Sequence, residues 1–434
     1  MQFIKPGTNI DFIGKRKVAF TLSVMCIIAT IVLLIWRGGP NSGVDFTGGV
    51  LMQVTFDQQR QPAEIKAALA PIQLDDSIIQ EFGEVNKYQY AIQLKKTNLE
   101  LNSVMDGINE ALSEKFGENV AIRSDVTGEI ISINLKLHFR KSPAEIESAL
   151  KPLELEDLSV EFIGPIKEYE YLIRVKETNM ELAGLGEEAK KVLTAAFGQG
   201  LEVTREEMVG PKVGADLQQK AMNAIFYAIL FIAVYISGRF ELKWLMSIIM
   251  AVALLLAVYI ASTFGVSTTW LILVALLVTI GLCWFLKLKY AMGAILALIH
   301  DVTITVGAFA LTNREISLAI IAALLTIVGY SLNDTIVVFD RIRENLKRYR
   351  KQKLEDVLNA SINETLSRTI LTSTTTLIVV VALFVLGGGV IHDFAFALLV
   401  GIVVGTYSSI FVASPIILVW ERQFSGRGKT TAKK

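Results

Sequence analysis

The 434-residue sequence contains little cysteine, little histidine and no excess of either charge. Its two cysteines, Cys26 and Cys283, both lie in apolar runs, which argues against a disulfide scaffold or a cysteine metal cluster. The three histidines, His138, His300 and His392, lack a metal-binding spacing. From these cysteines and histidines we expect no bound metal. Lysine and arginine together number 42, as do aspartate and glutamate, so the formal net charge is zero and we expect no nucleic-acid partner.

Apolar residues, in contrast, are abundant and concentrated in long runs. They make up 52% of the chain, and the mean hydropathy of +0.49 is too high for a soluble protein of this size. Eight runs approach or exceed the roughly 18–20 residues that cross a bilayer. They are 18–36, 221–238, 244–264, 268–286, 290–311, 317–339, 370–391 and 394–420. We expect a polytopic α-helical membrane protein with about eight transmembrane helices.

Lysine and arginine lie on one side of these predicted helices. They occur at 15–17 and eight times within 340–369, whereas the turns at 265–267 and 387–393 have none and the turn at 312–316 has only Arg314. The positive-inside rule then places both termini in the cytoplasm and residues 38–217 outside. The first run is long for a signal peptide and no small-residue cleavage site follows it, so we interpret it as a retained anchor.

The outer block repeats itself at an offset of 81 residues. Residues 62–71 return as 143–152 with seven identities in ten, and Tyr90 maps onto Tyr171. Such an ungapped repeat indicates a duplicated domain. Each copy reads strand, helix, strand, strand, helix, strand, the order of a ferredoxin-like unit. In the first copy the elements are predicted at 51–56, 62–70, 77–82, 88–94, 99–116 and 119–124.

The predicted domain organisation has five segments, and the outer region is α+β with two tandem ferredoxin-like units. The segments are 1–37 (cytoplasmic N-terminus and first helix), 38–125 (first copy), 126–217 (second copy), 218–424 (membrane domain with seven further helices, including an extra hairpin near 244–286) and 425–434 (basic cytoplasmic tail). No nucleophile with an adjacent base is evident in the outer block, so we expect a binding or lever module and no enzyme.

Charged residues at membrane depth are costly, so each one is a functional candidate. Asp334 precedes the basic boundary at Arg341 by seven residues, about 10 Å inside the membrane. Asp301 lies roughly 18 Å inside, near the midplane. Its neighbour His300 is not expected to face it, because successive helical residues point apart.

Arg368 lies at the inner edge of a hydroxyl-rich helical face and is the nearby cation placed to pair with Asp334. If the separation of the pair changes with conformation, the proton affinity of the carboxylate changes too. The residues therefore predict a proton-coupling site. Two other interpretations stay open: a static Asp334–Arg368 ion pair that locks two helices, and a purely structural role for Asp301.

Five motifs occur in order along the chain. They are Gly43-Val-Asp-Phe-Thr-Gly-Gly49, Val209-Gly-Pro-Lys-Val-Gly214, Ala297-Leu-Ile-His-Asp301, Gly329-Tyr-Ser-Leu-Asn-Asp-Thr335 with Val338-Phe-Asp-Arg-Ile-Arg-Glu344, and Thr365-Leu-Ser-Arg-Thr369. Each glycine motif alone is weak. In this order, at these membrane boundaries, they span nearly the whole chain and resemble the SecF family of Sec translocase accessory subunits, within the SecD/SecF family and the RND superfamily.

The resemblance implies roles for particular residues. Asp334 and Arg368 match the proton-path pair of the family, and Asp301 and Asn333 belong to the same candidate site. The residues implied at the junction between the outer domain and the membrane core are Gly43, Asp45, Phe46, Gly48, Gly49, Gly210, Pro211 and Gly214. A cytoplasmic motif is implied at Asp340, Arg341, Arg343 and Glu344.

The resemblance also implies partners and a location. The partners are a SecD-like subunit, the SecYEG channel, a YajC-like small subunit, the translocating preprotein and the lipid bilayer. The implied location is the bacterial cytoplasmic (inner) membrane. The implied function is protein export driven by the proton-motive force, with protons as the coupling ion and no other cofactor.

Two features depart from the usual family pattern of six helices and one small outer domain. The sequence has eight apolar runs and a duplicated outer block, and the Leu-Lys-Tyr sequence at 288–290 echoes Leu-Lys-Trp at 242–244, which suggests local duplication of the hairpin. Three other functions stay open: an RND-type proton-driven exporter of lipid or small molecules, an intramembrane aspartyl protease with an Asp301–Asp334 dyad, and a proton-independent scaffold.

Overall fold

The computed structural model describes residues 9–72, 74, 77–82, 88–94, 108, 111–113, 115, 121–127, 130–136, 141–151, 158–162, 170–176, 180–198, 200–241, 244–263 and 268–424. The predicted tail at 425–434 and most of the predicted helix at 99–116 lie outside these residues. The chain divides into a helical unit (1–46, 82–86 and 215–434) and a sheet unit (47–81 and 87–214).

The described elements are numbered in chain order. The helices are α1 (Arg16–Arg37), α2 (Val44–Thr47), α3 (Pro62–Leu69), α4 (Pro143–Leu150), α5 (Met180–Phe197), α6 (Pro211–Glu241), α7 (Trp244–Thr263), α8 (Thr268–Phe285), α9 (Lys289–Leu311), α10 (Leu318–Arg348), α11 (Leu354–Leu386), α12 (Gly389–Ser408) and α13 (Ser414–Phe424). The strands are β1 (Gly49–Thr55), β2 (Ile78–Phe82), β3 (Gln89–Leu94), β4 (Ala121–Thr127), β5 (Ile130–Lys136), β6 (Ser159–Phe162), β7 (Glu170–Lys176) and β8 (Glu202–Val209).

Six helical stretches among the described residues are long and apolar enough to cross a membrane. They are Arg16–Arg37, Val213–Arg239, Lys289–Leu311, Leu318–Arg348, Leu354–Leu386 and Gly389–Gln423. The predicted extra hairpin is present as α7 and α8, but its apolar parts, Ile248–Ile260 and Trp270–Phe285, are shorter. The predicted count of eight transmembrane helices is therefore not confirmed.

Small residues bring the helices around α9 close together. Helix α9 packs against α1, α10 and α12, and alanine and glycine contribute much of its buried surface. A Cβ at Gly401 of α12 would lie 2.3 Å from Ile327 Cδ1 of α10, and one at Gly405 would lie 3.0 Å from Ser331 Cβ. The GxxxG sequence of α12 thus serves packing within the chain. It holds α12 against the face of α10 that carries Ser331.

The sheet unit contains two four-stranded sheets, with the strand orders β2-β3-β1-β8 and β4-β5-β7-β6. In the first sheet β1 is central and antiparallel to β3 and β8. In the second, β5 is antiparallel to β4 and β7, and β7 is antiparallel to β6. Helices α3 and α5 cover the first sheet with the buried side chains Ile65, Leu69, Leu185, Ala189 and Leu193.

The strand pairing corrects the predicted boundary between two tandem copies at 125 and 126. Strand β8, from the second copy, completes the first sheet, and β4, from the first copy, completes the second sheet. Only residues 128–129 separate β4 from β5, so these strands pair as a hairpin that crosses the boundary. Because the two sheets have equivalent edge strands, the last strand of each copy can pair with the sheet of the other copy without loss of a strand pairing. Each sheet therefore combines three strands of one copy with the last strand of the other.

Equivalent tyrosines make the same pair of backbone hydrogen bonds in the two copies. The buried Tyr90 hydroxyl donates to the Arg60 carbonyl oxygen (2.6 Å) and accepts from the Arg60 N–H (3.0 Å). Tyr171 does the same with Lys141, at 2.6 and 2.9 Å. Burial raises the pKa of Tyr90, so its hydroxyl stays protonated and able to donate. The repeat in sequence is therefore also a repeat in tertiary contacts.

We expect Tyr90→Phe to loosen the segment that leads into α3. The change leaves the backbone groups of Arg60 without the hydroxyl and costs about 1 kcal/mol, or roughly fivefold faster amide exchange at Arg60. Hydrogen–deuterium exchange of the full chain measures this. The matched variant Tyr171→Phe should accelerate exchange at Lys141 and leave Arg60 unchanged. Unaltered exchange at Arg60 in Tyr90→Phe would contradict the assignment.

Candidate functional site

Asp301 of α9 is the centre of a buried polar network. The residue is 0% exposed, and its Oδ2 accepts hydrogen bonds from Ser331 Oγ of α10 (2.5 Å) and Ser408 Oγ of α12 (2.8 Å). Its Oδ1 lies 2.8 Å from His300 Nδ1. Both oxygens of this carboxylate are therefore satisfied by protein groups, and the network joins α9, α10 and α12.

His300 extends the network to α1. Its Nε2 lies 3.1 Å from Ser23 Oγ, which is 3.2 Å from the Tyr407 hydroxyl. The Tyr407 hydroxyl also donates to the Ala19 carbonyl oxygen at 2.9 Å. The expectation that His300 and Asp301 would not interact was wrong. One residue turns an α-helix by about 100°, and at this angle the ring nitrogen reaches the adjacent carboxylate.

Asp334 of α10 has a different environment. It is 4% exposed, and its Oδ2 has no hydrogen-bond partner. Ser373 of α11 hydrogen bonds to the carboxylate, and the charge of Arg368 on the same helix acts on it. Among the described residues the static Asp334–Arg368 salt bridge, one of the sequence alternatives, is not formed, and Arg368 is exposed. Asp334 is thus a buried carboxylate with a free oxygen and a cation nearby.

The two aspartates do not form a catalytic dyad. Asp301 directs its oxygens at His300, Ser331 and Ser408. Asp334 lies three residues beyond Ser331 on α10, about 4.5 Å further along the helix axis. A shared proton would need a direct contact between the carboxylates, so this geometry does not fit an aspartyl protease.

Asn333 is not brought into the site. It follows Leu332 on α10 and its side chain is exposed, whereas Asp334 and Ser331 are buried. Adjacent residues of a helix point in different directions. Within the described residues no three His, Cys, Asp or Glu side chains converge as metal ligands. Among the described residues the site thus contains a buried carboxylate, Asp334, with one oxygen that makes no hydrogen bond.

The first glycine motif lies against the start of α10. The Gly43 N–H donates to the Ile316 carbonyl oxygen at 3.0 Å, and the Asp45 carboxylate accepts from the Leu318 N–H at 2.8 Å. Phe46 packs in the hydrophobic cluster that contains Ile316. These three motif residues fasten the segment after α1 to the helix that carries Asp334.

The remaining motif glycines surround the ladder between β1 and β8. Gly48 and Gly49 have left-handed φ values of +70° and +116°, and a Cβ at Gly49 would lie 2.6 Å from the Leu94 carbonyl oxygen. Gly49 pairs with Val209, the last residue of β8. The second motif follows directly, with Gly210 before α6, Pro211 as the first residue of α6 and Gly214 bonded back to Gly210 at 2.9 Å.

The motif residues at 340–344 form ion pairs between helices. Asp340 pairs with Arg239 of α6 at 2.6 Å and with Arg343 at 3.8 Å. Arg341 pairs with Glu344 at 3.0 Å and with Glu364 of α11 at 3.6 Å. These side chains are partly exposed, so each pair contributes about 0–1 kcal/mol. They align the ends of α6, α10 and α11.

The sequence did not single out the hydroxyl groups that bind Asp301. Ser331 and Ser408 occur among many serines and threonines in the apolar runs, and most of those bond to a carbonyl of their own helix, as Thr305 does with Asp301 O at 2.8 Å. A hydroxyl in a transmembrane helix is therefore a weak signal. Only the packing of α9, α10 and α12 identifies the two that meet the carboxylate.

Comparison with known proteins gives matches over nearly the whole chain. The family model "Protein export membrane protein SecD/SecF, C-terminal" matches residues 189–284 and 268–423, and the SecD/SecF GG motif matches residues 35–59. The protein translocase subunit SecF of Magnetococcus marinus is 35% identical over 421 residues, covering 97% of this chain and 95% of the relative. That of Vibrio alginolyticus is 34% identical over 417 residues, covering 96% and 91%.

Among solved structures, SecDF of Thermus thermophilus, described as a translocon-associated membrane protein, is similar with a TM-score of 0.51 and 26% identity. The match covers 96% of this chain and 39% of that one, so the chain spans about two fifths of the solved SecDF. The SecF relatives exceed 30% identity over nearly the whole of both chains, and the two family models match the glycine motif after α1 and the region from 189 to 423. The chain belongs to the SecD/SecF family of protein export membrane proteins.

Proposed function

We propose that this chain is the SecF-type subunit of a Sec preprotein translocase and uses the proton-motive force to promote protein export. The relatives that support this are named protein translocase subunit SecF. The solved relative is a translocon-associated SecDF, which supports a SecD-like partner. The chain is then a transport subunit and no enzyme, and protons are its only coupling ligand.

The observation that carries the proposal is the environment of Asp334. Its carboxylate is buried among membrane helices, one oxygen lacks a partner, and Arg368 is near without a direct contact. A buried carboxylate takes up a proton when a neighbouring cation moves away and releases it when the cation approaches. Relative movement of α10 and α11 would therefore couple proton transfer to conformation. Asp301, with contacts at both carboxylate oxygens, would hold α9, α10 and α12 together while α11 moves.

The surroundings of the subunit follow from the same proposal. Both termini lie in the cytoplasm of a bacterium, and the sheet unit lies outside the inner membrane. The SecYEG channel, a YajC-like subunit, the preprotein and the bilayer lipids are its other partners. Helices α7 and α8 also enter the bilayer as an added hairpin, which gives eight membrane helices, and the duplicated α+β units contact the emerging preprotein.

We expect Asp334→Asn to remove the gradient-dependent part of translocation. The amide keeps the shape and the hydrogen bonding of the side chain but cannot carry the proton. Preprotein uptake would be measured in proteoliposomes that contain this chain, its SecD-like partner and the channel, with and without an imposed proton gradient. The uptake without a gradient should equal that of wild type, and the increment due to the gradient should fall at least tenfold.

The matched control is Asp356→Asn, which makes the same chemical change at an exposed position in the first turn of α11. It should retain the full increment. Equal stimulation of wild type and Asp334→Asn would reduce Asp334 to a packing residue and leave a scaffold as the function. Gradient-dependent release of lipid without any effect on preprotein would favour the exporter.

A further inference from the structure

The chain between α1 and β1 is bonded to the loop between α9 and α10. The Ile316 N–H donates to the Asn41 carbonyl oxygen (2.7 Å), and the Gly43 N–H donates to the Ile316 carbonyl oxygen (3.0 Å). Asn41 Nδ2 also donates to Asn313 Oδ1 at 2.8 Å. We call residues 41–46 with 313–318 the clasp. It is built from backbone and side-chain bonds and not from packing alone.

The clasp supplies the N-terminal cap of α10. Ser317 occupies the N-cap position, but its side chain makes no capping hydrogen bond. Instead Asp45 Oδ2 accepts the Leu318 N–H at 2.8 Å, from a residue 273 positions away in the sequence. A carboxylate there accepts a hydrogen bond from a backbone N–H that has no partner within the helix. Its negative charge also interacts favourably with the positive end of the helix dipole.

Apolar contacts hold Asp45 in this position. Val44 is buried, and Phe46 packs in the cluster formed by Phe309, Ile316 and Ile320. The residues on both sides of the carboxylate are therefore anchored in the helical unit. The cap is a fixed contact of that unit.

The same residues stand between two functional parts of the chain. Only three positions separate Asp45 from strand β1, which begins at Gly49. In the other direction α10 is a continuous helix from Leu318, and Asp334 lies 16 residues along it, about 24 Å. A pull on β1 thus acts on the first turn of the helix that carries Asp334.

We propose that Asp45 is a positioning residue that transmits movement of the sheet unit to α10 through the clasp. The inference rests on the proposed function and deepens it, because it names the contact through which the outer domain and the proton site act on each other. Asp45 does not bind the proton. It holds the segment leading into β1 on the end of α10, so that the two move together.

Four forms of the full chain test this in the same proteoliposomes: wild type, Asp45→Ala, Asp45→Asn and the double variant Asp45→Ala with Ser317→Asp. Asp45→Ala removes the acceptor, and Asp45→Asn keeps an acceptor without the charge. Ser317→Asp gives α10 a cap of its own, since Ser317 already has the extended backbone of an N-cap residue. The double variant therefore restores the helix end but not the link to residues 41–46.

Two readouts separate stability from coupling. Hydrogen–deuterium exchange at Ile321, whose N–H donates to the Ser317 carbonyl oxygen in the first turn of α10, should rise about fivefold in Asp45→Ala, the effect typical of losing an N-cap. It should return to the wild-type rate in Asp45→Asn and in the double variant, because an aspartate at 317 caps the next two N–H groups of the same turn. The gradient-dependent increment of preprotein uptake should be lost in Asp45→Ala and in the double variant and be retained in Asp45→Asn. Uptake without a gradient should be equal in all four.

Each other result has a defined meaning. A double variant that regains the increment would show that only the helix end matters and would overturn the coupling role. Retention of the increment in Asp45→Ala would overturn the inference while the proposed function stands. If wild type shows no increment, the proposed function fails and the inference fails with it. If Asp45→Ala reaches the membrane in poor yield, the double variant is compared with Asp45→Asn, and equal increments in these two would likewise overturn the coupling role.

Discussion

Asp301→Ala is expected to destabilise the protein by about 2–4 kcal/mol, the largest stability effect of any single change at the site. The substitution leaves the His300 ring and the Ser331 hydroxyl without their acceptor in a buried place, while Ser408 can still use its second acceptor, the Gly405 carbonyl oxygen. It also removes the hydrogen bonds that join α9 to α10 and α12. Thermal unfolding of the purified full chain in detergent would show the loss as a lower midpoint.

Two matched variants make this result specific. Asp301→Asn keeps the volume and one carbonyl acceptor, so it should cost about half as much or less. Asp334→Asn should change stability by no more than about 1 kcal/mol, because Asp334 Oδ2 has no bond to lose. If Asp301→Ala and Asp334→Asn lower the midpoint equally, the assignment of a structural and a titrating carboxylate would be wrong.

Arg368→Gln is expected to remove the gradient-dependent increment of translocation as completely as Asp334→Asn does. Glutamine has a length and polarity close to those of arginine but has no charge with which to expel a proton from Asp334. Since Arg368 is exposed and makes no salt bridge with Asp334, folding should be unaffected. Uptake into proteoliposomes with and without a gradient measures the effect.

The double variant decides whether the two groups act as one device. Residues that act as a unit are not additive, so Asp334→Asn with Arg368→Gln should lose no more than either change alone. Arg368→Lys keeps the charge and serves as the control, with at least part of the increment retained. Independent, multiplying losses in the double variant would mean that Arg368 works elsewhere, for example on a partner subunit.

Asp301 and Asp334, both buried in the membrane helices, have contrasting environments that suit them to different roles. A carboxylate whose two oxygens contact His300, Ser331 and Ser408 at 2.5–2.8 Å holds three helices in place, and a change of its charge would weaken these contacts. A carboxylate with a free oxygen can change its charge with little loss of structure. Asp301 holds α9, α10 and α12 in fixed positions. Asp334 lies three residues beyond Ser331 on α10, so the positions of these helices determine which groups surround it.

Much of the fold was predictable because it depends on local pattern. Apolar runs of bilayer length can satisfy their backbone only as helices, so the runs at 290–311 and 317–339 correspond closely to α9 and the first part of α10. The strands predicted at 51–56 and 88–94 agree with β1 and β3 within two residues, since alternation of apolar side chains is also local. The hairpin predicted at 244–286 corresponds to α7 and α8, because nearly all of its residues are apolar.

The sequence by itself predicted most helices and strands and the repeat within 38–217, and it placed Asp301 and Asp334 inside apolar runs with Arg368 at the edge of another. These properties follow from composition and spacing along the chain. Three features were decided only by the tertiary structure. They are the exchange of β4 and β8 between the two sheets, the hydroxyls that satisfy Asp301, and the cap that Asp45 supplies to α10. Each feature joins residues far apart in sequence. In each case other residues could have made the same contact: the equivalent strand of the other copy, other serines in the helices, or Ser317 as the cap of its own helix. Local pattern cannot distinguish such competitors, whereas packing in three dimensions leaves room for only one of them.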